Sequence, residues 1–185
     1  MAQTKARKPA QRKVRNKPRG KDIKRTKAEA RPGIGIGAKA PSFSLPRAGG
    51  GNVSLADFAG RTLVLYFYPR ADTSGCTREA IDYSRLQEEF SRAGAAILGV
   101  SADSVKALDA FKAKHDLAIA LASDETHKTL TAYGVWREKS MYGRKFFGIV
   151  RSTFLIGPDQ RIAQAWPKVS VEGHAAAVLA AAKAL

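Results

Sequence analysis

Stretches of continuous apolar sequence alternate along the chain with stretches in which apolar residues recur at helical spacing. Residues 62–68 and 95–101 are mostly β-branched, aliphatic or aromatic, which predicts two strands buried on both faces. Between them, apolar residues over 80–90 recur every three or four positions, and Gly94 supplies a stop. The pattern therefore predicts a helix of about four to five turns that begins near Cys76.

The same alternation continues to the end of the chain. The later elements predicted by the pattern are a helix over 104–115, a strand near 119–121, a short helix over 126–133, a strand over 152–156, a hairpin through 157–160 into a strand at 161–166, and a helix over 173–184. A short helical turn is predicted over 54–58. This order is typical of an α/β domain in which helices flank a mixed sheet, with 62–68 as a central strand.

Positive charge is concentrated at the amino end. Residues 1–37 contain 13 Lys or Arg against Asp22 and Glu29, a net charge of +11, whereas residues 38–185 contain 19 against 14, a net charge of +5. The first segment has three prolines and no aromatic residue, so it lacks the apolar surface that would offset the entropy of ordering it. We therefore predict a disordered basic tail over 1–37 and one domain over 38–185.

The sequence contains no strong membrane or targeting signal. No apolar run approaches the roughly 18 residues that cross a bilayer, and no apolar stretch follows the positive charges at the amino end, so neither a membrane span nor a secretory signal is expected. Transit peptides are also basic and poor in acids, but they are rich in serine, and residues 1–37 contain none. We expect a cytoplasmic protein whose tail could associate it with a nucleoid or a nucleus.

The chain has one cysteine, Cys76, where the first buried strand gives way to a helix. Free cysteines are often inert apolar fillers of a core. Here, however, Gly75 permits close approach of the backbone, Thr73 is placed to cap the helix with its hydroxyl, and Cys76 falls in the first helical turn. Unpaired N–H groups and the positive end of the helix dipole favour the thiolate, which is the reactive form.

The residues around this cysteine match a known pattern. The sequence Pro69-x-x-x-Thr73-x-x-Cys76 resembles the active-site motif of peroxiredoxins, and the longer stretch 67–80 resembles the peroxiredoxin Q or bacterioferritin comigratory protein subfamily. Other stretches resemble that subfamily in order, namely 99–104, 121–124, 133–135, 151–156 and 171–174. The resemblance covers essentially all of 38–185. It implies a thioredoxin-like three-layer sandwich, with a mixed central sheet flanked by helices, and the reduction of hydroperoxides.

The resemblance also implies a role for each matching residue. Cys76 would attack the terminal oxygen of the peroxide O–O bond and become a sulfenic acid. Thr73 would offer its hydroxyl to the peroxide and the thiolate. Arg151 would stabilise the anion and polarise the O–O bond, and Pro69 would shield the site from water.

Residue type alone does not identify the arginine of the site. Arg70, Arg78 and Arg151 are all candidates to lie near the sulfur. Arg151 differs from the others because it opens a predicted core strand, where a charge is costly without a partner. Glu79, one helical turn beyond the cysteine, would either hold Arg151 or Arg78 in place or face solvent.

Two positions depart from the subfamily pattern. Many members carry a resolving cysteine five residues after the first, but here that position is Ile81 and the chain has no other cysteine. An external thiol would therefore resolve the sulfenic acid, from a thioredoxin, from a glutaredoxin with glutathione, or from another small thiol. Ser74 stands where proline is common and should loosen the loop without removing a reacting group. The resemblance makes a monomer the expected state.

Two other functions stay open from the sequence. The basic tail could bind nucleic acid non-specifically through counterion release, with the domain as an inactive scaffold, although no aromatic residue interleaves its charges to stack on bases. Alternatively, Cys76 could serve as a redox sensor that passes its oxidation to a partner. His115, His127 and His174 lack metal-ligand spacing, so we predict surface or capping histidines and expect no metal or cofactor.

Overall fold

The computed structural model describes residues 1–2, 34–141 and 143–185. The predicted disordered tail over 1–37 lies almost entirely outside these residues and stays a prediction. Its last positions are described, however. The Gly37 N–H donates to the Ile162 carbonyl at 2.7 Å, and Ile34 packs against a core cluster. The last residues of the predicted tail therefore contact the domain, and the boundary between residues 37 and 38 stays a prediction.

The described elements alternate along the chain much as expected. In order they are β1 (Ser44–Pro46), β2 (Asn52–Ser54), a 3-10 turn (Leu55–Phe58), β3 (Thr62–Phe67), α1 (Ser74–Arg85), α2 (Gln87–Arg92), β4 (Ala95–Ser101), α3 (Val105–Lys114), β5 (Ala120–Ser123), α4 (Lys128–Ala132), β6 (Trp136–Met141), β7 (Arg144–Ile149), β8 (Ser152–Ile156), β9 (Ile162–Trp166) and α5 (His174–Lys183). Within the described ranges, no helix is long and apolar enough to cross a membrane.

The central sheet has five strands in the order β5-β4-β3-β8-β9. Strands β3, β4 and β5 run parallel, whereas β8 is antiparallel to both β3 and β9. Every residue of β3 is buried, because strands lie on both of its edges and other elements cover both of its faces. The prediction of a mixed sheet with this run at its centre is confirmed.

Two apolar clusters lie on opposite faces of the sheet. The first face packs against α1, α2, α3 and α5, and Cys76 belongs to this cluster. The second face packs against α4 and the hairpin of β1 and β2. The result is the thioredoxin-like three-layer α/β sandwich that the resemblance implied. The parallel strands β3 and β4 end at the same edge, which is where the loop before Cys76 begins.

The helix predicted from Cys76 to Gly94 is interrupted. Its first part, α1, ends at Arg85. The next residue, Leu86, has φ and ψ of −93° and 3°, outside the helical range, and α2 begins at Gln87. Phe90 nevertheless packs on Tyr83, with ring centroids 6.0 Å apart. Because the buried positions keep their helical spacing across the break, the apolar pattern does not reveal it.

The hairpin of β6 and β7 is absent from the sequence predictions. Its strands pair antiparallel, with Trp136 opposite Ile149. The first four residues of β7 are exposed, so burial does not impose an apolar alternation on the strand. The pattern of apolar residues detects buried strands and misses one that stands out into solvent.

Candidate active site

The loop between β3 and α1 carries the cysteine into the first turn of a helix. Thr73 is the N-cap residue, with φ and ψ of −94° and 151°, and Cys76 is the third residue of α1. This is the expected register. The predicted hydroxyl cap is wrong, because Thr73 Oγ1 donates instead to the Arg70 carbonyl at 3.0 Å. That bond closes the loop on itself and leaves the first N–H groups of α1 without this side-chain partner.

A guanidinium lies directly beside the sulfur. Arg151 Nη2 is 3.2 Å from Cys76 Sγ, and the cysteine is only 2% exposed. A Cβ atom added to Gly75 would lie 3.3 Å from the same Nη2, so a glycine here leaves room for the guanidinium. The cysteine is thus buried, and its sulfur contacts a fixed positive charge that can stabilise negative charge on it.

Arg151 is held from its other side by a buried carboxylate. Arg151 Nη1 donates to Glu79 Oε2, and the two side chains are 15% and 1% exposed. Burial raises the pKa of Glu79 to about 7, although the neighbouring guanidinium acts to lower it. The sequence left open whether Glu79 contacts Arg151, contacts Arg78 or faces solvent. In the structure it holds Arg151, whereas Arg70 and Arg78 are exposed.

Three buried tyrosines lie in the same core cluster as Cys76, and the sequence did not identify them as neighbours of the site. Tyr66 lies 4.7 Å from Tyr83 and 5.6 Å from Tyr68 between ring centroids. Their hydroxyl oxygens are buried and have no hydrogen-bond partner among the described residues. Burial raises the pKa of all three, so they stay neutral beside the ionic pair. The available signal was the pair of phenols in and just after the buried strand β3, Tyr66 and Tyr68, whereas Tyr83 lies in α1.

The loop before α1 is anchored at two points. The Ala71 N–H donates to Asp103 Oδ2 at 2.7 Å, and this carboxylate also accepts from Ser101 Oγ at 2.8 Å. Asp72, at a φ of 58°, contacts Lys114 at 2.6 Å and His115 at 2.7 Å. The bonds from His115 and Lys114 lower the pKa of Asp72. These contacts tie the loop to the end of β4 and to α3, and so fix where α1 begins.

The remaining predicted residues have mixed outcomes. Pro69 is exposed at the start of the loop, and its shielding role stays a prediction. His174 is not a surface histidine: it is buried at the start of α5, because it packs between Tyr83 and Trp166 and shares a 2.9 Å hydrogen bond with Thr153. Within the described ranges, no three His, Cys, Asp or Glu side chains gather closely enough to hold a metal ion.

The thioredoxin-like sheet places a single buried cysteine at the amino end of a helix, where its sulfur contacts a guanidinium. This is the arrangement of a thiol-dependent peroxidase. Comparison with known proteins agrees. The family model described as AhpC/TSA family matches residues 36–165. Peroxiredoxin Bcp of Xanthomonas campestris is 51% identical over 147 residues, which cover 78% of this chain and 92% of that protein.

Solved structures give the same result. Peroxiredoxin Q of X. campestris matches with a TM-score of 0.74 at 51% identity, over 77% of this chain and 90% of that one. A cysteine-to-serine variant of PrxQ from Xylella fastidiosa matches with a TM-score of 0.78 at 41% identity, over 82% and 96%. The chain belongs to the AhpC/TSA family, as a peroxiredoxin of the Q or Bcp type, and is a thiol-dependent peroxidase.

Proposed function

We propose that the protein reduces hydrogen peroxide and organic hydroperoxides through a sulfenic acid at Cys76, which an external thiol resolves. The observation that carries this proposal is the 3.2 Å contact between Arg151 Nη2 and Cys76 Sγ, with Glu79 on the other side of the guanidinium. A study of trapped intermediate and ligand complexes of X. campestris bacterioferritin comigratory protein concerns that protein's alkyl peroxide reduction. The X. campestris protein is 50% identical to this chain, which supports the same class of substrate here.

The oxidation step transfers one oxygen atom. The Cys76 thiolate attacks the terminal oxygen of the peroxide, an S–O bond forms, and the O–O bond breaks with its electron pair on the departing oxygen. Water or an alcohol is released once that oxygen takes up a proton, and the sulfur is left as a sulfenic acid. Arg151 stabilises the negative charge, first on sulfur and then on the departing oxygen.

Thr73 and Pro69 complete the proposed site. Because the Thr73 hydroxyl proton is donated to the Arg70 carbonyl, its oxygen lone pairs are free to accept the peroxide O–H. That bond would orient the terminal oxygen toward the sulfur, and near-attack geometry is a large part of such a rate. Pro69, which cannot donate from its backbone nitrogen, would limit the access of water to the loop.

The return to the thiol requires molecules from outside. X. campestris peroxiredoxin Q has been solved with serine in place of either of two cysteines, whereas this chain has only Cys76. One external thiol would condense with the sulfenic acid to give a mixed disulfide and water, and a second would release Cys76. Because Cys76 is only 2% exposed, the first turn of α1 would have to move before a thiol reaches its sulfur. We propose that this cycle runs in a monomer.

The cycle can be tested by trapping its intermediate. Stoichiometric peroxide followed by dimedone should add one dimedone to the protein, at Cys76, as read by mass spectrometry of its peptides. Excess peroxide with dithiothreitol should then be consumed over many turnovers. Absence of the adduct would contradict the sulfenic acid. An adduct without turnover would contradict the enzymatic cycle and would favour a redox sensor.

Replacing Glu79 with glutamine should slow Cys76 oxidation about tenfold, because Arg151 loses an ionic partner and is held less firmly. In the wild type, Glu79 becomes protonated as the pH falls through about 7, so that the pair loses its negative charge. We expect an inflection near that pH in the oxidation rate of the wild type and none in Glu79→Gln. The measurement is the rate of peroxide oxidation from pH 5.5 to 8.5.

The pH dependence of protein stability provides an independent test of Glu79. The folded pKa of Glu79 lies above its ordinary value of 4.5, so the folded state binds the proton more tightly than the unfolded state. Its contribution to stability is therefore present below about pH 4.5 and is lost as the pH rises through about 7. Glu79→Gln should remove this slope. The exposed Glu88→Gln is the control, and equal pH profiles in both variants would contradict the role of Glu79.

A further inference from the structure

One lysine of the hairpin of β6 and β7 turns away from solvent. Lys139 is half-buried, whereas Arg144 and Lys145 on the same hairpin are exposed. In the pairing of the two strands Lys139 lies opposite Phe146, and it shares a face with Gly148. A lysine normally buries its stem and keeps its ammonium in water, so an ammonium that is turned inward requires a partner.

The stem of this lysine crosses β7 at a glycine. A Cβ atom added to Gly148 would lie 3.6 Å from Lys139 Cδ and 3.8 Å from Lys139 Cε. The ammonium donates to the carbonyl of Ile149, the last residue of β7. The Val150 N–H bonds to the Val135 carbonyl, and ladder bonds fall on alternate residue pairs, so the Ile149 carbonyl faces away from β6. Lys139 therefore supplies a bond that the hairpin ladder does not.

The Ile149 carbonyl belongs to the link that leads into Arg151. Three consecutive carbonyls of this link each have their own donor: Ile149 accepts from Lys139, Val150 accepts from Ser152 Oγ at 2.9 Å, and Arg151 accepts from the Val169 N–H at 3.0 Å. Residues 150 and 151 lie between β7 and β8, outside both strands. Single bonds of this kind therefore hold the backbone from which the guanidinium extends.

The Lys139 ammonium is also an electrostatic neighbour of the Cys76 and Arg151 pair. Burial lowers the pKa of Lys139, the Arg151 charge lowers it further, and the Cys76 charge acts to raise it. The ammonium thus lies within electrostatic reach of both the guanidinium and the sulfur. Lys145 does not share this position, because it pairs with Glu138 at 2.7 Å on the opposite face of the hairpin.

We propose that Lys139 is a positioning residue of the peroxidase site. By holding the Ile149 carbonyl, it fixes the link that carries Arg151 and so keeps the guanidinium between Glu79 and the sulfur. Lys139 acts through Arg151 rather than on the peroxide. This inference rests on the role of Arg151 in the proposed function.

The test measures the second-order rate constant for oxidation of Cys76 by hydrogen peroxide, with stopped flow at pH 7. Lys139→Met keeps most of the side-chain length but has no donor, and it should lower the constant roughly tenfold, because a small displacement of an aligned group is costly. Lys139→Arg retains donor and charge and should stay within about threefold of the wild type. Lys145→Met, on the other face of the same hairpin, is the matched control and should change the constant by less than about twofold.

A double-mutant cycle shows whether Lys139 acts through Arg151. In an Arg151→Ala background, Lys139→Met should change the rate constant by less than about twofold, because the group that the lysine positions is gone. A lysine that only supports the fold would lower the urea midpoint and slow the reaction in both backgrounds. An equal loss in the two backgrounds would therefore overturn the proposal.

Two other results would also overturn it. One is a Lys139→Met protein that reacts at the wild-type rate, when the wild type itself reacts faster than free cysteine. The other is an equal loss in Lys139→Met and Lys139→Arg, which would remove the role of the donor. A wild type no faster than free cysteine would instead overturn the proposed function, and this inference with it, so the two failures are distinguishable.

Discussion

Peroxide reduction falls by at least about 10⁴-fold when Cys76 is replaced by serine, because an enzyme that loses its nucleophile retains only the contribution of its remaining groups. Serine is similar in size, but its hydroxyl is not ionised at neutral pH, and the chain has no second cysteine to take over. The measurement is the consumption of hydrogen peroxide with dithiothreitol as the reductant.

The variant must be folded for this result to count. Circular dichroism and the urea midpoint should be close to those of the wild type, since the side chain keeps its volume in the cluster that contains Tyr66 and Tyr83. A folded Cys76→Ser protein that still consumed peroxide at more than about one hundredth of the wild-type rate would place the chemistry elsewhere in the molecule.

Arg151→Ala should lower the rate of Cys76 oxidation by roughly 10²–10³-fold, the usual cost of removing one preorganised charged donor from a water-excluded site. The loss has two parts: the sulfur loses its positive neighbour at 3.2 Å, and Glu79 is left buried without a partner. Stopped-flow measurement of the second-order rate constant for hydrogen peroxide reads the effect directly.

Arg151→Lys separates charge from geometry. An ammonium retains the positive charge, but it cannot present two nitrogens at fixed spacing to Glu79 and to the sulfur. We expect a rate between those of the wild type and Arg151→Ala. Arg70→Ala and Arg78→Ala, which remove exposed guanidinium groups, are the matched controls and should stay within about twofold of the wild type. An equal loss in all three alanine variants would contradict a specific role for Arg151.

The central sheet and the register of Cys76 could be predicted because burial determines them. Residues 62–68 are apolar at every position, and β3 is buried at every residue. The turn chemistry around Thr73 and Gly75 likewise located the start of α1. Signals of this kind are local, and they can be read from a few neighbouring residues.

The partners of the sulfur could not be predicted from local signals. Glu79 and Arg151 are separated by 72 positions, and only the pairing of β8 with β3 brings them together. Residue type alone left three arginines as candidates. The place of Arg151 at the start of a predicted core strand set it apart, and the resemblance to a family assigned it to the site. The bond from Thr73 to Arg70 depends on loop geometry, so the hydroxyl direction was also beyond the sequence.

Features that face solvent or fill a polar interior were missed for a different reason. The hairpin of β6 and β7 has too little burial to produce an apolar pattern. His174 was predicted to be a surface or capping residue, because its position has no metal-ligand spacing. In the structure it is buried beside Trp166 and bonded to Thr153, and burial, with Arg151 nearby, lowers its pKa to about 4. The composition of the chain does not predict that a histidine will be buried and neutral.

The most direct measurement is the second-order rate constant for oxidation of Cys76 by hydrogen peroxide at pH 7, set against that of free cysteine under the same conditions. We expect the protein to react at least roughly a hundredfold faster, because in the proposed mechanism the guanidinium held by Glu79 stabilises negative charge on the sulfur and on the departing oxygen. A rate equal to that of free cysteine, unchanged in Arg151→Ala, would contradict the assignment of this sulfur as a peroxidase nucleophile.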